Sequence, residues 1–197
     1  MRVVLATSNA GKLREFRELL HPLGFETLSL SQFTQVNADE TGLTFIENAI
    51  LKARHAASVA NLPAIADDSG IELDALQGAP GIYSARYAGP NAGDQANLDK
   101  LLKAVRELPE QHRTARYQCA LAYLRWANDP SPLIVQSSWE GRIVLAPRGT
   151  GGFGYDPVFE LTELGKTAAE LSSDEKNKIS HRGKAMRELV TQLRARM

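Results

Sequence analysis

The sequence is poor in the residues that build covalent or metal-held scaffolds. Its single cysteine, Cys119, can neither close an internal disulfide nor furnish a cysteine-rich zinc site, which reads as a reducing compartment. The histidines His21, His55, His112 and His181 are scattered without short ligand spacing, so a structural metal is not expected. Neither sign of charge is in excess, with 23 Lys+Arg against 23 Asp+Glu. Duplex-binding domains usually carry a clear basic surplus, so holding a polyanion by bulk electrostatics is excluded and any bound phosphate must be held locally. Long apolar runs are missing too. The opening run Val3 to Ala6 stops at Thr7, too short for an export segment. Nothing approaches the roughly 20 apolar residues that a membrane helix needs. The expectation is a soluble, cytoplasmic protein with no membrane or nucleic-acid partner.

What remains is ordinary globular material. Of 197 residues, 43% are hydrophobic and 23% charged, enough apolar side chain for a substantial core and too much for intrinsic disorder. Val3 to Ala6 reads as a strand, Thr7 to Lys12 as a loop, and Leu13, Phe16, Leu19 and Leu20 recur at helical spacing. Gly24 closes that helix, and Phe25 to Leu30 reads as a second strand. Strand, helix, strand predicts an α/β fold with a mixed central sheet flanked by helices. Thr44-Phe45-Ile46-Glu47 is a capping box opening a helix that runs to Ala60 and is closed by Pro63. Ala64 to Ala66 reads as a short strand delivering Asp67-Asp68-Ser69-Gly70 at its end. Asp94 caps a helix with Leu98, Leu101, Leu102 and Val105 on one face. Arg116 to Trp126 and Leu133 to Val144 read as two long antiparallel strands. Ser172 to Glu175 starts a further helix, and a C-terminal helix turns Ile179, Met186, Leu189, Val190 and Leu193 inward. No repeat or linker breaks the chain, so residues 1–197 read as one domain of two lobes, with the cleft between them as the natural binding site.

Several stretches carry chemistry. Thr7 to Lys12 meets a helix N-terminus, where backbone N–H groups favour an anion and Lys12 adds charge. It is not a Walker A loop, because Ala6 stands where that pattern needs Gly and Leu13 where it needs Ser or Thr. A plain connecting turn is the alternative. Asp67-Asp68-Ser69-Gly70 offers carboxylates and a hydroxyl suited to Mg²⁺, which commonly bridges protein carboxylates to substrate phosphates, and Asp39-Glu40 could add a ligand. A turn and a solvated loop are the corresponding bland readings. Lys52 and Arg86 read either as solvated cations or as phosphate contacts, and Tyr83 and Tyr87 either pack or stack on a flat ligand. Gly149 to Pro157 combines backbone freedom with Phe153, Tyr155 and Asp156, which suits close approach to a planar base, or else is a loop with Phe153 in the core. Lys176, His181 and Arg182 are basic groups near helix starts, where they do not help the dipole and so face something anionic or solvent. Taken together these features describe one ligand, a nucleotide with its phosphates.

Six ordered motifs then carry a resemblance. Thr7 to Lys12, Glu40-Thr41-Gly42-Leu43-Thr44-Phe45, Ala66 to Gly70, Pro80 to Arg86, Gly151 to Pro157 and Ser180-His181-Arg182-Gly183 are similar to the inosine triphosphate pyrophosphatase family, bacterial members above all. The resemblance implies a two-lobed α/β fold, a homodimer, and Mg²⁺-dependent hydrolysis of ITP, dITP and XTP to the monophosphate and pyrophosphate, which keeps deaminated purines out of nucleic acid. It implies that Thr7, Ser8, Asn9, Ala10, Gly11 and Lys12 hold phosphates together with Lys52. Asp68 would be metal ligand and general base, Ser69 and Arg86 substrate contacts, and Phe153, Gly154, Tyr155, Asp156, Lys176, His181 and Arg182 the base pocket. Ser8 stands where the family has Gly, so the turn either does without a positive φ or holds Ser8 there at a cost. Asp39-Glu40 replaces a Glu pair, and the second metal ligand is left open between Asp39 and Glu40. A Maf-like pyrophosphatase with another base preference and a nucleotide-binding regulator without turnover are the competing readings.

Overall fold

Val3, Val4 and Leu5 are all buried, so the first strand has no polar face, which is the pattern of an inner parallel strand. In the computed structural model, which describes residues 1–195, that strand is β1 (Arg2–Leu5). It pairs in parallel with β2 (Glu26–Ser29) on one side and β3 (Ala64–Leu73) on the other. After β3 come α3 (Asp94–Val105) and the strands β4 (Thr114–Leu124), β5 (Leu133–Ile143), β6 (Phe159–Leu161) and β7 (Lys166–Thr167). The strand order is β2-β1-β3-β4-β5-β6-β7, and β6 is antiparallel to both β5 and β7. The mixed sheet and the α/β class are therefore as the sequence predicts.

Helix α1 (Ala10–Leu20) buries Phe16 and Leu20, and Gly24 past its end adopts φ 80°. In α2 (Phe45–Ala60) the predicted capping box is fully formed, with Thr44 Oγ1 accepting from Glu47 N–H. Its buried face is mostly alanine, so the helix lies close to its neighbours: Ala49, Ala53, Ala56 and Ala57 are covered. Asn61, at φ 50°, ends the helix before Pro63 is reached. The remaining helices are α4 (Ser173–Ile179), opened by a Ser172–Glu175 capping box, and α5 (His181–Ala195).

Three expectations are corrected. Asp67-Asp68-Ser69-Gly70 does not terminate a strand: β3 is ten residues long and contains all four. Turn-forming residue types lose here to the sheet: β3 lies between β1 and β4, and although its register with β1 covers only Ala64 and Ile65, the strand continues through all four residues to Leu73. Asp94 is the first residue of α3 and Gly93 its cap, the Asp94 Oδ2 being occupied by the Gly154 N–H. Ile179 belongs to α4 and packs with a different core from Met186, Leu189, Val190 and Leu193.

The chain divides into two compact units. The first comprises Met1–Asp68, Cys119–Ser137 and the segment from Arg182 on, with a core of Val3, Leu5, Phe16, Ile65, Leu121 and α5 side chains. The second comprises Ser69–Gln118 and Ser138–His181, with a core around Ile71, Leu101, Trp139, Ile143 and Phe159.

Candidate active site

Where β1 hands over to α1 in the first unit, Asn9 is the N-cap, its Oδ1 accepting from Lys12 N–H at 3.0 Å, and Thr7 Oγ1 accepts from Asn9 N–H. Ser8 and Ala10 are exposed and Thr7 and Gly11 half-buried. Positive φ among non-glycine described residues is confined to Asn61 and Gln77, so the turn needs no left-handed residue at Ser8 and the serine stands there without strain. Lys12 reaches back from this turn, its Nζ 2.5 Å from Asp67 Oδ1. Asp67 also accepts from Arg182 Nε at 3.0 Å through Oδ2, and Arg182 in turn pairs with Glu15 of α1. Glu15, Asp67 and Arg182 are all buried. Burial works to raise the Asp67 pKa, but Arg182 and Lys12 outweigh it and hold the carboxyl far below the usual range.

The next residue along β3 has a different partner. Asp68 Oδ1 is 2.6 Å from Lys52 Nζ, which also meets Glu40 Oε1 at 2.9 Å and the Asp67 carbonyl at 3.2 Å. Burial pushes the Asp68 carboxyl up against the pull of Lys52, so adjacent carboxylates are driven apart in basicity. The structure brings Glu40 to Lys52 and Asp68, whereas Asp39 is exposed. A cavity of about 140 Å³ opens beside them, lined by Thr7, Ser8, Asn37, Glu40, Lys52 and His55 among others.

Asp68 Oδ2 is buried and has no hydrogen-bond partner, so this carboxylate keeps coordinating capacity that Lys52 does not use. Among the described residues no group of three or more His, Cys, Asp or Glu could cage a metal. Two carboxylates, Glu40 and Asp68, nevertheless fit Mg²⁺, which is usually held by one or two carboxylates with substrate phosphates and water completing its shell.

The second unit gathers the remaining predicted residues into an aromatic and polar group. Asp156, buried, is its hub: Oδ2 accepts from Phe153 N–H at 2.8 Å and Lys176 Nζ at 2.7 Å, and Oδ1 from Tyr117 O–H at 3.2 Å. A Cβ on Gly152 would lie 2.0 Å from Asp156 Oδ2, and φ is +72° there, so both space and backbone require glycine. Lys176 Nζ stands 4.8 Å from the centre of the half-buried Phe153 ring. The buried His181 ring stacks on Tyr117, centroids 4.7 Å apart and planes 7° from parallel. Tyr155 is buried with its O–H on the Ser84 carbonyl at 2.8 Å, so it ties the loop down rather than offering a face. Gly154 and Ser69 are half-buried, and Arg86 lies over the exposed Tyr83 ring at 5.3 Å.

The basic residues near helix starts thus meet the protein's own carboxylates, Lys176 on Asp156 and Arg182 on Asp67 and Glu15. Sequence reasoning did not find Glu15, Asn48 or Tyr117. Glu15 is a buried acid within α1 and Tyr117 an inward position of β4, and neither has a partner close in sequence that would mark it. Asn48 had one: a polar residue breaking the alanine face of α2.

The sequence model of the Ham1 family matches residues 3–192. The dITP/XTP pyrophosphatase of Thioalkalivibrio sulfidiphilus is 59% identical over 196 residues, covering 100% of both chains. That of Escherichia coli K12 is 57% identical over 193 residues, covering 98% of each. Among solved structures, a HAM1 protein from Coxiella burnetii superposes with a TM-score of 0.90 at 47% identity, covering 99% of both chains. The Ham1 protein of Staphylococcus aureus gives 0.87 at 38%, covering 100% of both.

Proposed function

The chain belongs to the Ham1 family, and from that premise we propose that it is a dITP/XTP pyrophosphatase, hydrolysing ITP, dITP and XTP to the monophosphate and pyrophosphate. One observation carries the reading. Two adjacent buried carboxylates of β3, Asp67 and Asp68, each hold a lysine from a different helix, so cations suited to a polyphosphate and carboxylates suited to a metal ion meet at one strand.

Phosphoanhydride hydrolysis asks little covalent chemistry of a protein and much positioning and charge neutralisation. In this reading the Thr7 to Lys12 turn and Lys12 receive phosphate oxygens, with Lys52 as a second cation. Glu40 and Asp68 would hold Mg²⁺, which when bound would neutralise charge building on the phosphate oxygens. Asp68 is the base, since its carboxyl is the one pushed upward, and it takes a proton from the water attacking the α-phosphorus. The bond to the leaving pyrophosphate breaks as the new P–O bond forms. Asp67 stays ionised and keeps Lys12 in place.

The base is assigned to the second unit, with Phe153 as the stacking surface and Lys176 and His181 as polar readers, all organised by Asp156 and Tyr117. Donors aimed at a 6-oxo group are left unpaired against the adenine amino group, a mismatch worth several kcal/mol. Arg182 enters as the residue fixing the start of α5 beside His181, and Ser69 and Arg86 as substrate contacts. A homodimer and a cytoplasmic location complete the proposal. In support of the latter, no helix among the described residues is long and apolar enough to cross a membrane.

The test is pyrophosphate release from ITP, dITP, XTP, GTP, ATP and a pyrimidine triphosphate, with and without Mg²⁺. Release confined to the deaminated purines and dependent on metal is expected. Preference for a pyrimidine nucleotide would favour the Maf-like alternative, and tight binding of ITP without release a regulator.

A further inference from the structure

Asn48 is fully buried on the alanine face of α2. Its Oδ1 accepts from the Gly42 N–H at 2.9 Å. That N–H can only donate, so the orientation of the side-chain amide is fixed and Nδ2 faces away from Gly42. Nδ2 is itself buried with no hydrogen-bond partner. Alanine or leucine would spare the fold that orphaned donor, so the amide is retained at a cost unless its oxygen does something hydrocarbon cannot.

What the oxygen does is hold Gly42, and the fit is close. A Cβ there would lie 2.5 Å from Glu47 Cβ and 2.8 Å from Asn48 Oδ1. Leu43 and Thr44 are fixed by Glu47 Oε2 as part of the capping box, but Gly42 is held by Asn48 and stands two residues from Glu40. Lys52, which receives the Glu40 carboxylate, lies one turn along the same helix, where i and i+4 share a face. Backbone and side chain of this segment are therefore gripped by successive turns of α2.

We propose that Asn48 is a positioning residue for Glu40: by fixing Gly42 it sets where the Glu40 carboxylate stands, and hence how tightly Glu40 and Asp68 hold a divalent cation. The inference rests on the reading of Glu40 and Asp68 as the cation pair.

Asn48→Ala, Asn48→Asp and Glu40→Gln separate the possibilities. Mn²⁺ binding without nucleotide is measured by calorimetry, Gly42 amide exchange by NMR, and the Mg²⁺ dependence of ITP turnover by kinetics. Asn48→Ala should speed Gly42 exchange and raise both the Mn²⁺ Kd and the half-saturating Mg²⁺ by about tenfold, the usual effect of losing a group that orients a ligand. At saturating Mg²⁺, kcat and the KM for ITP should stay within about twofold, a split that general loss of structure would not produce. Asn48→Asp, which keeps an acceptor for Gly42, should recover most of the loss and serves if the alanine variant does not fold. Unchanged Gly42 exchange overturns the proposal, as does an unchanged Mn²⁺ Kd in Asn48→Ala where Glu40→Gln raises it. If Glu40→Gln leaves the Kd unchanged, the cation assignment of Glu40 falls, and the hold of Asn48 on the segment is judged on Gly42 exchange alone.

Discussion

Asp67 and Asp68 are neighbours on β3, yet their carboxylates serve different lysines: Lys12 Nζ lies 2.5 Å from Asp67 Oδ1 and Lys52 Nζ 2.6 Å from Asp68 Oδ1. Alternation along a strand sends adjacent side chains to opposite faces. One turns toward Arg182 and is clamped, and the other is left with an oxygen to use.

Asp68→Asn should therefore abolish turnover while leaving the fold nearly intact. A lost general base costs about 10²- to 10⁴-fold in kcat, and loss of a cation ligand adds to it. Pyrophosphate release from ITP at saturating Mg²⁺, with circular dichroism as the control for folding, measures both. Turnover within a few-fold of the parent protein would exclude Asp68 from either role.

Asp67→Asn should do the reverse, striking stability first. Removing one partner of a buried ion pair typically costs about 3–5 kcal/mol, and here Arg182 would lose one of its two carboxylates. The pH dependence has a definite sign. The folded pKa of Asp67 is held below the ordinary value of about 3.9, so its stabilisation is present above that pH and drains away as pH falls toward the folded value. Urea unfolding at pH 7 and pH 3 should show the gap between parent and variant narrowing in acid. An equal gap at both would mean that the clamp is not electrostatic.

Tyr117→Phe keeps the ring that stacks on His181 and removes only the donor to Asp156 Oδ1. A hydrogen bond to a charged acceptor is worth about 1.5–3 kcal/mol, and Asp156 retains Lys176 and the Phe153 N–H, so the lower end is expected. Tyr117→Leu loses the stack as well and should erode the ratio of kcat/KM for ITP over ATP, which the phenylalanine variant preserves. Identical ratios in both variants would separate His181 from base reading.

Gly152→Ala places a methyl where Asp156 Oδ2 stands, at a φ that disfavours any side chain. Asp156 must move, releasing Phe153 and Lys176 together. The expected result is a stability loss above about 1 kcal/mol with a raised KM for ITP. A KM unchanged in a folded variant would argue against this loop as the base site.

Much of this was legible in the residues, for identifiable reasons. The Thr44 and Glu47 capping box and the Asn9 turn are short-range devices, in which donor and acceptor lie within three residues of each other. The length of β3 was not, because Asp-Asp-Ser-Gly is locally turn-like and becomes strand only when Lys12, Lys52 and Arg182 neutralise its charges from elsewhere in the chain. Glu15 escaped for the same reason, its partner Arg182 being remote in sequence, as did the pairing of Glu40 with Lys52, twelve residues further along the chain.

The way the first unit is assembled from three separated stretches has a consequence for synthesis. Lys12, Glu40, Lys52, Asp67 and Asp68 all leave the ribosome well before the middle of the chain, but Arg182 and the α5 side chains that complete their core follow much later. Domains generally fold as their sequence emerges, amino-terminal part first. Here the amino-terminal unit cannot close before the other is fully made, so Asp67 waits through most of translation without its guanidinium, and a truncated product would carry the Asp67 carboxylate without the Arg182 clamp.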